Sequence, residues 1–151
     1  MPQSFSCAHL HLVFSTKNRE PFLSDLQLRQ EMHAFLGQVS NKLDCPILIV
    51  GGTEDHVHLL GRLGISITRA DWVKELKRVS SIWIKEREPS LGSFYWQAGY
   101  GIFATSMSST QRTLKYSREQ MIHHQKKSFK DEYRAILLKH GLEWDERYVW
   151  D

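Results

Sequence analysis

Two short stretches hold residues whose types and spacing suit phosphodiester chemistry. Asp55-His56-Val57-His58 sets two imidazoles one residue apart, and Tyr116-Ser117-Arg118-Glu119-Gln120 sets a phenol and an amide four residues apart. On a strand, side chains repeat every second residue, so His56 and His58 point the same way, about 6–7 Å apart along the strand. On a helix, positions i and i+4 share a face, so Tyr116 and Gln120 also point the same way. The set supplies three candidate metal ligands beside one candidate nucleophile.

A neutral imidazole is the commonest nitrogen ligand for divalent metals. Two histidines leave an ion with open positions, and the Gln120 amide oxygen is a suitable hard third ligand. Neutral protein ligands leave the full charge of the ion available to a phosphate, and the amide favours magnesium or manganese over zinc. Tyr116 sits one turn before Gln120, so the ion would lie near the phenol and polarise the scissile phosphate. The phenol, with an ordinary pKa of about 10, must lose its proton as it attacks. The link formed keeps the bond energy, so the reverse attack can join a new DNA end without ATP. Each residue also has a plainer reading. A polar strand face can carry two histidines, an exposed helix can carry Gln120, and tyrosines commonly serve packing.

Other polar residues are more ambiguous. His9 and His11 form a second alternating pair that could line the same sheet face and touch DNA, or simply make that face polar. Asp55 should point opposite to His56 and fix the local turn. His124 shares the Tyr116–Gln120 face, as a rival ligand or a phosphate contact. Trp96, Gln97 and Tyr100 could stack on unpaired bases or belong to the core.

The elements that must position these residues alternate. Cys7 to Thr16 reads as a strand. Ser24 or Asp25 can cap a helix with Leu28, Met32, Phe35, Leu36, Val39 and Leu43 at helical spacing. Pro46 to Val50 and His56 to Leu60 read as strands around Gly51-Gly52. Thr68, with Asp71 three residues on, resembles a helix N-cap. That helix carries Trp72, Val73, Leu76, Val79 and Trp83 on one side and Lys74, Lys77 and Arg78 on another. Phe94–Trp96 and Tyr100–Thr105 read as strands, Ser108 to His124 as a helix, and Lys130 to His140 as a last helix stopped by Gly141. The order suits an α+β fold: a split β-α-β arrangement with two helices on one face of an antiparallel sheet.

At 151 residues, with no linker or repeat, residues 1–151 read as a single domain. No apolar run approaches the roughly 20 residues of a membrane helix. No signal peptide is evident, and Cys7 and Cys45 form no CxxC pair, which together suggest a cytoplasmic protein with reduced thiols. The net charge of +3 says little, but its distribution says more. Arg112, Lys115, Arg118, Lys126, Lys127 and Lys130 face a single acid, Glu119, between positions 112 and 130. Lys74, Lys77 and Arg78 form a second basic cluster, and the tail from Asp131 to Asp151 is acidic. A surface divided this way can hold a polyanion on one side, or can simply be solvated helix.

Taken in order, these motifs resemble the single-tyrosine HUH transposases, including the REP-associated tyrosine transposases. His56-Val57-His58 within GGTEDHVHLL matches the His–hydrophobic–His motif, and Tyr116 with Gln120 in YSREQ matches the catalytic helix. HLVFSTKNREPF, LKRVSS, FYWQAGYGIFATS and HHQKKSFKDEY extend the similarity over most of the chain. The resemblance implies a ferredoxin-like fold with the histidines on a central strand and a C-terminal catalytic helix. It implies Tyr116 as nucleophile, His56, His58 and Gln120 as ligands of Mg2+ or Mn2+, and single-stranded DNA with hairpin ends as substrate. It also implies a homodimer with active sites shared between subunits and a 5′-phosphotyrosine intermediate. Lys74, Lys77, Arg78, Arg112, Lys115 and Arg118 are the expected DNA-binding residues. Glu119 replaces the family's usual asparagine. The alternatives are a domesticated hairpin-DNA nickase without element mobility, a non-catalytic single-stranded nucleic-acid-binding module, and a structural metal protein.

Overall fold

The computed structural model describes residues 2–106, 112, 115 and 128–151. Within them, β1 (His9–Ser15), α1 (Leu26–Lys42), β2 (Ile47–Gly52), β3 (His56–Arg62), α2 (Arg69–Arg87), β4 (Gly101–Ala104) and α3 (Phe129–Lys139) follow one another. The four strands form one antiparallel sheet in the order β2-β3-β1-β4. This is the expected α+β, ferredoxin-like arrangement, with the two central strands contributed by the first and second halves of the split motif.

Local chemistry sets the helix starts. The Asp25 carboxylate accepts from the Gln27 and Leu28 amides. Thr68 Oγ1 accepts from Asp71, and Ser128 Oγ accepts from Asp131, so each helix has a satisfied N-terminal donor. Leu28, Met32, Leu36 and Ser40 of α1 form the stripe that faces inward, as do Trp72, Val73, Leu76, Ser80 and Ile84 of α2. Both stripes pack on one sheet face against Leu10, Leu12, Phe14, Val57 and Leu59. The indoles of Trp72 and Trp96 donate to Ser40 and Ser80, so the two buried tryptophans keep their hydrogen bonds.

The opposite face carries a second core. Val13 and Phe103 of the sheet meet Phe129, Tyr133 and Leu137 of α3. Gly101 lets α3 approach β4 closely, since a Cβ there would meet the Tyr133 ring at 2.8 Å. Gly141, with φ +66°, ends α3 in the left-handed conformation expected of a C-terminal glycine.

The expected strand at Phe94–Trp96 is instead a loop with a single bridge, Thr16 to Trp96. The residues that follow it bond outside the sheet ladder. Gln97 exchanges bonds with the Ser15 backbone through both its side chain and its amide. The carbonyls of residues 97, 98 and 99 accept from the Lys77 ammonium. The expected helix Ser108–His124 lies outside the described residues except for Arg112 and Lys115.

Candidate metal centre

Register builds the site. Pairing Phe14 with Val57 and Val13 with His58 sends alternate residues to opposite faces. Val57 and Leu59 enter the α1–α2 core, while His56 and His58 turn to the face covered by α3. The β2–β3 turn that precedes them needs Gly52, whose φ is +149° and where a Cβ would collide with the His56 carbonyl.

Both rings are buried, with His56 1% and His58 8% exposed. Their Nδ1 atoms are already engaged. His56 Nδ1 lies 2.8 Å from Asp55 Oδ1 and 2.9 Å from Thr53 Oγ1. His58 Nδ1 lies 2.9 Å from His11 Nε2, with the two rings stacked at 5.2 Å. The Asp55 side chain thus folds back onto His56 instead of pointing away from it, because residue 55 lies in the turn just before the strand, where alternation does not yet hold. His11 uses the histidine-bearing face, and its supporting bond gives the alternating pair of β1 a concrete role.

The Nε2 atoms meet a residue that strand and helix motifs did not single out. Glu132 Oε2 lies 3.2 Å from His56 Nε2 and 3.9 Å from His58 Nε2. The three donor atoms all fall within 4.8 Å of one another. Sequence did carry a signal for Glu132. It sits within the Phe129, Tyr133, Ile136, Leu137 spacing that forms the apolar stripe of α3, where an acid demands a partner.

The electrostatics favour positive charge here. Burial raises the Glu132 carboxyl, but the His56 and His58 rings beside it outweigh that and hold the group far below the usual carboxylate range. Burial opposes a proton on His56, and Asp55 and Glu132 overcome that and raise its pKa. Burial lowers His58 despite Glu132, and lowers His11 to about 3. Among the described residues, Asp55 and Glu132 are the carboxylates that face these rings. A divalent ion fits this donor set: imidazole nitrogens and a carboxylate oxygen bond such ions at about 2.0–2.2 Å, which puts neighbouring donors roughly 3–4 Å apart.

The other expected site residues divide. Tyr116, Arg118, Gln120, His123 and His124 lie outside the described residues. Arg112 and Lys115 are exposed. Lys74 and Arg78 are exposed on α2, across the sheet from the histidines, with Arg78 paired to Glu75. Lys77 turns inward, its ammonium on three carbonyls at 2.7–3.3 Å and over the Phe14 ring at 5.1 Å. Trp96 and Gln97 are buried, so neither offers a face to a base, whereas Tyr100 is exposed beside Lys77.

Known proteins share this fold. The family described as "Transposase IS200 like" matches residues 4–120. A candidate transposase from Deinococcus radiodurans R1 superposes with a TM-score of 0.64 at 22% identity, covering 80% of this chain and 95% of that one. A REP-associated tyrosine transposase bound to a REP hairpin superposes with a TM-score of 0.58 at 14% identity, covering 82% of this chain and 73% of that one. No curated protein matches. Among the described residues no helix is long and apolar enough to cross a membrane.

Proposed function

The chain belongs to the IS200-like transposase family, and from that premise we propose that it cleaves and rejoins single-stranded DNA by transesterification at Tyr116. The observation that carries the reading is the meeting of His56 and His58, on a central strand, with their Nε2 atoms turned to one point and their Nδ1 atoms bound elsewhere. His56, His58 and Gln120 would hold Mg2+ or Mn2+. Bound there, the ion supplies Lewis-acid polarisation of the scissile phosphate and neutralises charge on its oxygens.

The chain's own groups do the rest. The Tyr116 oxygen attacks phosphorus, forming a Tyr–O–P bond as the bond to the 3′ oxygen breaks. The phenol proton departs and the released 3′ oxygen takes one up, so proton count and charge balance. The 5′-phosphotyrosine stores the bond energy, and a second 3′ hydroxyl reverses the step to join a new end. Asp55 and His11 orient the two imidazoles so that each presents Nε2. Lys74, Arg78, Arg112, Lys115 and Arg118 supply phosphate contacts, and Lys77 supports them by fixing the loop beside α2. Hairpin DNA is the proposed substrate, a reading favoured by the REP hairpin bound to the structural relative. The working unit is proposed to be a cytoplasmic homodimer of 151-residue single-domain chains with shared active sites.

The test is incubation with end-labelled hairpin DNA and manganese, followed by denaturing electrophoresis. The expected result is a denaturant-resistant adduct lost in Tyr116→Phe and His58→Ala. Binding without an adduct would favour a DNA-binding module, and an adduct in Tyr116→Phe would reassign the nucleophile.

A further inference from the structure

We infer that Glu132 is a metal ligand in its own right, so that His56, His58 and Glu132 form a site that holds a divalent cation without Gln120 and before DNA arrives. This rests on the divalent-metal reading above and extends it to a carboxylate from a different element, α3.

Three observations point the same way. First, the donor atoms converge: Glu132 Oε2 is 3.2 Å and 3.9 Å from the two Nε2 atoms. Second, the other nitrogen of each ring is engaged, by Asp55 and Thr53 for His56 and by His11 for His58, which leaves Nε2 as the free ligand atom of both. Third, an ion pair alone does not satisfy the site. A His56 imidazolium facing Glu132 would still leave His58 Nε2 buried, and neither Nε2 makes a well-directed hydrogen bond among the described residues. A buried polar atom without a partner is costly. One cation bonded to all three donors removes that cost.

The donor set also defines the chemistry. Two imidazoles and one carboxylate on one side of an ion leave the remaining positions open, an arrangement suited to Mn2+ or Fe2+ more than to a closed structural zinc site. An ion held by these three groups would still be able to take a phosphate oxygen and water as further ligands. The anionic ligand raises resting affinity over that of an all-neutral set. Glu132 also ties the ion to α3, so occupancy of the site and docking of that helix should be coupled.

Manganese binding to the protein alone, without DNA, tests this by electron paramagnetic resonance titration. Wild-type protein should bind one ion, Gln120→Ala should bind within about threefold of it, and Glu132→Gln should bind at least about tenfold more weakly. Unchanged binding in Glu132→Gln overturns the inference while leaving the metal reading intact, as does a loss in Gln120→Ala that equals the loss in Glu132→Gln. Unchanged binding in His58→Ala overturns the metal reading itself. Hydrogen exchange on the unmutated protein gives a check free of folding defects. Manganese should slow exchange in α3 as well as β3, and slowing confined to β3 overturns the role of Glu132.

Discussion

His11 shows how much a single residue's role depends on register. Its cross-strand partner is Leu60, and its diagonal neighbour two positions along is His58. If His58 gives its Nε2 lone pair to an ion, its Nδ1 must carry the proton and donate it. His11 Nε2 must then be the acceptor, which requires a neutral ring, and burial keeps it so. Asp55 plays the same part for His56 with a full negative charge. Asp55→Asn should therefore weaken manganese binding by about tenfold with little loss of fold. His11→Phe should do likewise, while His11→Gln, which restores an acceptor, should recover most of the affinity. Equal affinity in all three variants would show that the Nδ1 partners do not support the ligands. At this scale the sequence was partly legible. The period of two put His56 and His58 on one face and left it open whether His11 shares it, which the strand register settles. It could not show that Asp55 folds back from a turn, nor that Glu132, 74 positions after His58, reaches the same point.

At the scale of elements, caps and stripes were readable because they are local. Asp25, Thr68 and Gly141 act where the sequence placed them. The segment Phe94–Trp96 reads as a strand from sequence, but its alternation reflects burial of Phe94 and Trp96 around exposed Tyr95, without a ladder partner. The Lys17 amide and the Ser80 hydroxyl hold this segment through Tyr95 and Trp96, while the carbonyls just after it, at residues 97–99, accept from Lys77, a residue whose position on a basic helix suggests DNA instead. Lys77→Met should cost about 1–3 kcal/mol in chemical denaturation, because three carbonyls lose a charged donor. Arg78→Ala, on the solvent side of the same helix, should leave stability within about 0.5 kcal/mol and lower the salt dependence of hairpin binding by about one phosphate contact. An unchanged salt slope would remove that face of α2 from the interface.

For the molecule as a whole, the sheet separates two cores with different duties. The α1–α2 core makes the scaffold, and the α3 face carries the histidine pair and Glu132. The acidic tail, which sequence alone left without a role, closes the second face. Trp150 packs against Phe129 and Tyr133 with Arg19, Lys130 and Arg134 around its ring. Its carbonyl accepts from Arg19, and the Asp151 main-chain oxygen accepts from Gly99 and Gln97. Glu146 adds a bond to Arg134 on α3. Such contacts between distant segments cannot be read from periodicity. Trp150→Ala should cost about 1–2 kcal/mol and speed hydrogen exchange in α3 selectively; equal effects on α1 would show that the tail does not act through α3. The central claim is that the two imidazoles hold an ion beside the Tyr116 oxygen. Anomalous diffraction from crystals grown with manganese and hairpin DNA tests it most directly. The account predicts a manganese peak within bonding distance of His56 Nε2 and His58 Nε2, with the Tyr116 oxygen and the ion on the same phosphate; a peak elsewhere, or Tyr116 remote from that phosphate in every subunit of the assembly, would contradict it.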